Sequence, residues 1–258
     1  MNRIKDNRYL WIYGKHACLS ALKNPNRVCI ELLITHKFID KNDPVIKLAK
    51  NRKIGIRDVE IAKIDSLVGS KAIHQGMLLK VLPLFGRNAS SLIRIEDIVA
   101  QTETAPTSTI LVLDEVTDVH NVGAVLRTAA CFNVDAVVLT EHNSPSESCG
   151  MAKASSGAID IVPVVCIGNL VKTLEYLKQK NYWCYGFDAS GGICLHQVEF
   201  SERRVVILGA EGKGMRHLTK KHCDHLVKIP MSEKMESLNV SNAAAIAMYS
   251  VFLGDKSS

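Results

Sequence analysis

The 258-residue sequence lacks several patterns that mark familiar protein classes. No apolar stretch approaches the roughly 20 residues that a membrane span requires, and the N-terminal segment has no apolar run typical of a signal sequence. The eight cysteines form no CxxC pair and show no spacing typical of a zinc site. We therefore expect a cytoplasmic protein with reduced thiols, no membrane association and no metal.

The glycine fingerprints of nucleotide-binding loops are also missing. The segment GAEGKG follows an apolar run, but its glycines at positions 209, 212 and 214 fit neither GxGxxG nor GxxxxGK[ST]. A dehydrogenase fingerprint and a P-loop are thereby excluded. What remains is a tight turn that would hold Glu211 at the end of a central strand.

Acidic residues are scarce in the first part of the chain. Residues 1–108 hold 18 Lys and Arg against 10 Asp and Glu, a net charge of +8. Residues 109–258 hold 14 against 16, a net charge of −2. Clustered basic side chains attract phosphate backbones without base readout. One interpretation of this asymmetry is that the first part of the chain binds a polyanion, and the other is that it has a solvated lysine-rich surface.

The apolar periodicity divides the chain into three parts. Residues 9–82 predict a small α/β domain, with a buried strand at Cys29–Thr35. The polar, proline-containing stretch 83–108 predicts a flexible linker. In residues 109–255 strands alternate with helices, which indicates an α/β domain with a parallel sheet covered on both faces. Its ligand is expected beyond the carboxyl ends of the strands.

Three polar or glycine-rich loops follow predicted strands of the second domain: Asp114–Arg127, Gly209–Gly214 and Ile229–Ser241. Asn121 begins a predicted helix, Asn121–Phe132, where the ordinary role of asparagine is an N-cap. Small residues surround Arg127 one turn away, which suits an anion contact and a solvated arginine equally. The third loop precedes a predicted Ala-rich helix, Val240–Phe252, for which Ser and Asn are good caps. Their order and spacing are more informative than any one loop.

In order, three segments resemble the motifs of the SpoU/TrmH family of SPOUT RNA 2′-O-ribose methyltransferases: DEVTDVHNVGAVLRTA, VVILGAEGKGM and VKIPMSEKMESLNVSNAAAIA. Upstream, YGKHACLSAL and HQGMLLKV are similar to the L30e-like RNA-binding domain of the RlmB-like branch, which methylates a guanosine ribose in 23S rRNA. The resemblance implies a parallel sheet with a C-terminal deep trefoil knot, preceded by the small α/β domain. It also implies a homodimer formed through the knot domain.

The resemblance further implies the cofactor and its site. S-adenosylmethionine would lie in the knot, with main-chain contacts from Gly209, Ile229 and Leu238. The family's catalytic positions map onto Asn121, Arg127, Glu211, Ser237 and Asn239. A free arginine guanidinium stays protonated at neutral pH and is a poor base. We therefore expect Arg127 to bind a phosphate and stabilise negative charge on the 2′-oxygen. Glu211 and Asn121 would orient this arginine or the ribose, and Ser237 and Asn239 would form the floor.

Two alternatives stay open at this point. The substrate is expected to be rRNA, but related enzymes with the same N-terminal domain act on tRNA loops. A non-catalytic RNA-binding or ribosome-assembly factor on the same fold would be expected to have lost one of the residues Asn121, Arg127, Glu211 and Asn239, and all four are present. No DNA partner is expected.

Overall fold

The chain folds into two compact units. The computed structural model describes residues 8–36, 43–86, 89, 92–232 and 234–257. The first unit combines residues 1–92 with 146–161, and the second combines 93–145 with 162–258. The chain therefore passes between the units three times. In the described ranges no helix is both long and apolar enough to cross a membrane.

Strands and helices alternate along most of the described chain. In chain order they are β1 (Leu10–Tyr13), α1 (Lys15–Lys23), β2 (Cys29–Ile34), α2 (Pro44–Asn51), β3 (Gly55–Asp58), α3 (Ile61–Val68), β4 (Met77–Val81), α4 (Ile95–Gln101), β5 (Ser108–Asp114), α5 (Val119–Cys131), β6 (Ala136–Thr140), α6 (Cys149–Ala154), β7 (Val164–Ile167), α7 (Leu170–Gln179), β8 (Trp183–Phe187), β9 (Ile193–Cys194), β10 (Arg203–Gly209), α8 (His217–His222), β11 (His225–Lys228) and α9 (Val240–Ser257).

The first unit is built on a four-stranded sheet. Its strand order is β1-β4-β2-β3, and only β2 and β3 run parallel. Helix α2 begins with Pro44 at its first position, where the missing N–H of proline costs no helical hydrogen bond. The Asp43 side chain accepts a hydrogen bond from the Val45 amide at 2.9 Å and caps this helix.

The second unit is built on seven parallel strands in the order β7-β6-β5-β10-β8-β11-β9. The predicted α/β class with a parallel sheet is thus confirmed. Strand β5 is buried at every residue, as expected for the centre of a sheet covered on both faces. All the carboxyl ends meet at one edge, which brings loops from distant parts of the chain together. The trefoil knot stays a prediction.

The stretch predicted to be a linker, 83–108, contains a structured element. Helix α4 lies within it, and Ile95, Ile98 and Val99 pack into the core of the second unit. Strand β5 also begins at its last residue, Ser108. Residues 87, 88, 90 and 91 lie outside the described residues. The amphipathic pattern of this seven-residue helix is too short to distinguish it from a tether by sequence.

The last helix is longer than predicted. It ends at Ser257 instead of Phe252. Arg204 on β10 is only 2% exposed, and its guanidinium donates hydrogen bonds to Asp255 and, at 2.8 Å, to Thr109 Oγ1. A buried cation needs an anionic partner, so Arg204 holds the final turns of α9 in place.

A buried ion-pair cluster joins the segment 146–161 to the rest of the first unit. Arg27 is fully buried, and its guanidinium contacts Glu147 Oε1 at 2.6 Å and Asp160 Oδ1 at 2.7 Å. It also donates a hydrogen bond to the Leu82 carbonyl at 3.1 Å. Burial raises the pKa of the Glu147 carboxyl in spite of the opposing charge of Arg27. Both carboxylates come from this distant segment, so the core of the first unit is incomplete without it.

Replacing Arg27 with methionine leaves two buried carboxylates without their cation. We expect Arg27→Met to lower the free energy of unfolding by about 3–5 kcal/mol, the usual cost of breaking a buried ion pair. Arg57→Met is the matched control, because Arg57 pairs with Glu31 at 2.6 Å while 65% of its side chain is exposed. Such an exposed pair contributes about 1 kcal/mol or less. Urea unfolding measures both variants, and equal losses would contradict the role assigned to Arg27.

Candidate active site at the carboxyl edge of the parallel sheet

The loop after β10 closes on itself at Gly209. A Cβ atom at Gly209 would lie 2.0 Å from the backbone carbon of Gly214 and 2.1 Å from the backbone nitrogen of Met215. The Gly214 amide donates a hydrogen bond to the Ala210 carbonyl at 2.8 Å. Gly214 itself has a φ of 66°, a left-handed conformation that glycine adopts without strain. The close approach permitted by Gly209 is therefore to its own loop, and this loop projects Glu211 from the sheet edge.

A buried carboxylate ties this loop to the end of β5. Asp114 is fully buried. It accepts hydrogen bonds from the Arg216 backbone amide at 3.0 Å and from Arg216 Nε at 2.8 Å. The two central strands β5 and β10 therefore end in loops that are held to each other by a charge-assisted, two-point contact.

Three of the predicted site residues form one hydrogen-bonded cluster. Asn121 Nδ2 donates to Glu211 Oε1 at 2.9 Å, and Asn239 Nδ2 donates to the same carboxylate oxygen and to Asn121 Oδ1 at 3.0 Å. The Val240 amide approaches Glu211 Oε1 at 3.4 Å. Glu211 Oε2 has no hydrogen-bond partner among the described residues. The cluster thus fixes one carboxylate oxygen and leaves the other available to a ligand.

Asn121 is not the N-cap of its helix, contrary to its expected ordinary role. Helix α5 begins at Val119, and Asp118 caps it by accepting a hydrogen bond from the His120 amide at 2.8 Å. Two good capping residues lie three positions apart, and the helix uses the earlier one. The Asn121 side chain is thereby free to contact Glu211.

Asn239 both stabilises the start of helix α9 and contacts the cluster. Its Oδ1 accepts hydrogen bonds from the Ser241 backbone amide at 2.9 Å and from the Ser241 hydroxyl. These contacts stabilise the first turn of α9, as the predicted capping chemistry requires. Its Nδ2 group faces the other way, toward Glu211 and Asn121.

A cavity of about 390 Å³ lies beside this cluster, and it contains all three predicted cofactor contacts. It is lined by Phe187, Asp188, Ala189, Leu208, Gly209, Ala210, Glu211, Gly212, Lys213, Gly214, Lys220, Val227, Ile229, Met231, Glu236, Ser237, Leu238, Val240 and Ala243. The predicted residues Gly209, Ile229 and Leu238 are therefore neighbours in space, and Ser237 and Glu211 share the same cavity.

Two lining residues, Asp188 and Lys220, were not identified from the sequence. Lys220 Nζ lies 2.6 Å from Asp188 Oδ2, and the Ser190 amide donates to Asp188 Oδ1 at 3.0 Å. Burial alone would raise the pKa of Asp188, but the contacts with Lys220 and Ser190 outweigh burial and lower it. The available signal was an aspartate directly after a buried strand, in the sequence FDASG, at the sheet edge where ligands bind.

Arg127 lies apart from the cluster. Its side chain is exposed on α5 and makes no hydrogen bond or ion pair with any described residue. It is six positions beyond Asn121, so helical geometry places the two residues on different faces of the helix. Within one chain, Asn121 and Glu211 bind each other and not this arginine.

The cavity suits a cationic nucleoside. Leu208, Val227, Ile229 and Leu238 supply apolar walls for a purine ring. The charged groups of the cavity are the carboxylates of Asp188, Glu211 and Glu236 and the ammonium groups of Lys213 and Lys220, of which Lys220 pairs with Asp188. Carboxylates favour the positive sulfonium and ammonium groups of S-adenosylmethionine. The residues present thus fit the cofactor that the sequence resemblance implies.

Two family models match the chain. The SpoU rRNA methylase family matches residues 108–249. The RNA 2′-O ribose methyltransferase substrate-binding family matches residues 11–85.

Individual proteins of known sequence or structure agree with these matches. The 23S rRNA (guanosine-2′-O-)-methyltransferase RlmB of Pseudomonas putida is 36% identical over 241 residues, which cover 92% of this chain and 94% of the relative. A putative TrmH family tRNA/rRNA methyltransferase of Staphylococcus aureus is 35% identical over 93% of this chain and 94% of its own length. The SpoU methyltransferase AviRb of Streptomyces viridochromogenes, solved with AdoMet, has the same fold, with a TM-score of 0.78 at 17% identity, covering 100% of this chain and 95% of that one. With one family model over more than half of its length and a near full-length relative above 30% identity, the chain belongs to the SpoU rRNA methylase family.

Proposed function

We propose that this protein transfers a methyl group from S-adenosylmethionine to a ribose 2′-hydroxyl of RNA, and that its substrate is a guanosine of 23S rRNA. Family membership and the near full-length similarity to RlmB support the reaction and the substrate. The observation that carries the proposal is the juxtaposition of the cavity with the Asn121–Glu211–Asn239 cluster. The eight free thiols are compatible with the reducing cytoplasm, where rRNA is modified.

The cavity residues hold the methyl donor. Ile229 and Leu238 enclose the adenine, and the backbone at Gly209 contacts the adenosine. S-adenosylmethionine, when bound, supplies an electrophilic methyl group on a sulfonium. Glu211 lines the cavity, and in this proposal its Oε2, which has no hydrogen-bond partner among the described residues, faces the ribose that meets that group. Orienting the two reactants is a large part of catalysis for such a transfer.

Glu211 and Arg127 contact different groups of the RNA in this proposal. Glu211 Oε2 accepts a hydrogen bond from the 2′-hydroxyl, aligns its oxygen and takes up its proton as the oxygen gains the methyl group, while Asn121 and Asn239 hold Oε1 in place. The bond between the methyl group and sulfur would break in the same step, and a neutral thioether would leave. The Arg127 guanidinium contacts the neighbouring phosphate and stabilises the negative charge that develops on the 2′-oxygen. Ser237 lines the floor of the cavity.

The working protein is a homodimer in this proposal. Helix α9 exposes three large apolar side chains at helical spacing: Ile246, Tyr249 and Leu253 are 39%, 51% and 45% exposed. Such a stripe is typical of a helix that packs against a partner. Phe132, directly after α5, packs on Tyr249 with ring centroids 5.7 Å apart, so a second chain docked on α9 also approaches α5. Arg127 on α5 then reaches the partner's site instead of its own.

The carboxylate of Glu211 is expected to be essential for turnover. In Glu211→Gln the amide oxygen can still accept from the two asparagine side chains, but the NH2 group that replaces Oε2 cannot accept the 2′-hydroxyl proton. We expect kcat to fall by about 10²–10⁴, the range for losing a positioned acid–base group. Calorimetry should still detect binding of S-adenosylmethionine, because the apolar walls and the carboxylates of Asp188 and Glu236 remain, so the main loss falls on kcat. Glu199→Gln, at an exposed position outside the cavity, is the control. Turnover of Glu211→Gln at the control rate would contradict the assignment.

Sharing of the site between subunits is testable with mixed dimers. Arg127→Ala and Glu211→Ala homodimers are each expected to be inactive. If Arg127 serves the partner's site, a heterodimer of the two variants contains one intact site and one doubly altered site. Co-refolded mixtures should therefore regain methylation of 23S rRNA. Mixtures that form heterodimers and stay inactive would show that Arg127 acts within its own chain.

The RNA substrate is identified by mapping 2′-O-methyl marks. Mass spectrometry of total rRNA and tRNA, with and without the gene, should show the loss of one guanosine mark in 23S rRNA, restored by the wild-type gene but not by Glu211→Gln. Loss of a mark in tRNA alone would refute the ribosomal assignment. An unchanged set of marks would favour the non-catalytic alternative.

A further inference from the structure

Three aromatic side chains lie at alternate positions along edge strand β1 of the first unit and just before it. Tyr9, Trp11 and Tyr13 occupy alternate positions in and just before β1, so they lie on one face of the sheet, while Ile12 between them is 1% exposed on the other. All three are partly exposed. Phe, Tyr and Trp make up only 5% of the sequence, so three within five residues is a marked local concentration.

Basic groups lie over these rings. Lys80 Nζ is 4.4 Å from the ring centroid of Tyr9 and 5.8 Å from that of Trp11. Arg8 Cζ is 5.9 Å from the Tyr9 centroid, and Lys153 Nζ is 5.8 Å from the Tyr13 centroid. The pairing of Trp11 with Lys80 across β1 and β4 fixes the central contact. Among the described residues, neither Lys80 nor Lys153 forms an ion pair with a carboxylate.

A purely structural role explains only part of this face. Trp11 and Tyr13 pack against a small core formed by Leu33, Ile64 and Leu78. Tyr9 is outside that core, as are the three cations. A ring that only covers the core needs no ammonium group above it. The combination of partly exposed rings with basic groups is instead the pattern of surfaces that stack bases and neutralise phosphates.

We propose that this face, formed by Tyr9, Trp11, Tyr13, Lys80 and Lys153, binds a single-stranded segment of the RNA substrate. Bases stack on Tyr9 and the exposed part of Trp11, while Lys80 and Lys153 contact the phosphates. Single-stranded RNA offers unstacked bases, which duplex RNA does not. The inference rests on the proposed function, since it assumes an RNA substrate, and it assigns a specific face of the first unit to that substrate.

The test compares RNA affinity across four variants of the full-length protein. Tyr9→Leu removes a stacking surface and Lys80→Gln removes a phosphate contact, whereas Tyr9→Phe keeps the ring. Lys47→Gln, on α2, removes one exposed charge elsewhere in the same unit. We expect Tyr9→Leu to weaken binding of a single-stranded oligoribonucleotide and to raise KM for 23S rRNA, each about tenfold, as for the loss of one stacked base. Tyr9→Phe should bind within about twofold of wild type, since the aromatic face persists.

The salt dependence separates stacking from charge. Lys80→Gln should lower the slope of log affinity against log salt concentration by about one, and Tyr9→Leu should leave that slope unchanged. In both variants kcat and the affinity for S-adenosylmethionine should stay at wild-type values, because neither residue belongs to the cavity. Thermal unfolding of each variant confirms that the fold is intact.

Several outcomes would overturn the inference. The inference is refuted if the Tyr9→Leu and Lys80→Gln variants bind RNA as tightly as the Lys47→Gln control. Equal competition by an RNA duplex, or by polyglutamate, would show that the face is not selective for single-stranded RNA. The proposed function is judged separately, by methyl transfer in the wild-type protein. If wild type methylates RNA and these variants bind normally, only the inference about this face is wrong.

Discussion

The site depends on a backbone contact that only glycine allows. At the end of the central strand β10 the chain turns back so tightly that a Cβ atom at Gly209 would overlap the backbone at Gly214 and Met215. This closure is local, but it sets the direction of Glu211 and, through Arg216 and Asp114, the distance to the end of β5. A side chain at position 209 would displace backbone atoms, which cannot yield as a flexible side chain can.

The remainder of the site follows from the parallel sheet. Because every strand ends at the same edge, loops that are about a hundred residues apart in sequence contribute to one cluster. Asn121 and Asn239 are then placed by helix-start geometry, and their amide groups converge on Glu211. Each hydrogen bond is individually modest. Together they immobilise one oxygen of a carboxylate whose other oxygen lacks a partner among the described residues, which is the arrangement that orienting a weakly acidic hydroxyl requires.

The sequence predicts the strands and helices and the proximity of the motif residues better than it predicts helix caps and ion pairs between distant residues. Alternating apolar segments predict the parallel sheet. The three ordered motifs predict that Asn121, Glu211 and Asn239 lie close together, and their side chains are hydrogen-bonded to one another. The pattern cannot show that Asp118 caps α5, because both residues have suitable chemistry. It also cannot show that Arg27 is buried, since an arginine is ordinarily exposed. Its partners lie 120 and 133 residues away, and local propensity carries no information about them.

The burial of Arg27 determines when, during synthesis, the first unit can finish folding. Residues 146–161, which carry both of its carboxylates, are synthesised 54 or more residues after the rest of the first unit ends at position 92. At about 5–20 residues per second, this delay is on the order of 3–11 seconds. During that interval a nascent first unit has no anion for its central cation. The N-terminal unit therefore cannot complete its core as it leaves the ribosome, and its final folding waits until residues 146–161, which follow strand β6 of the second unit, have been translated.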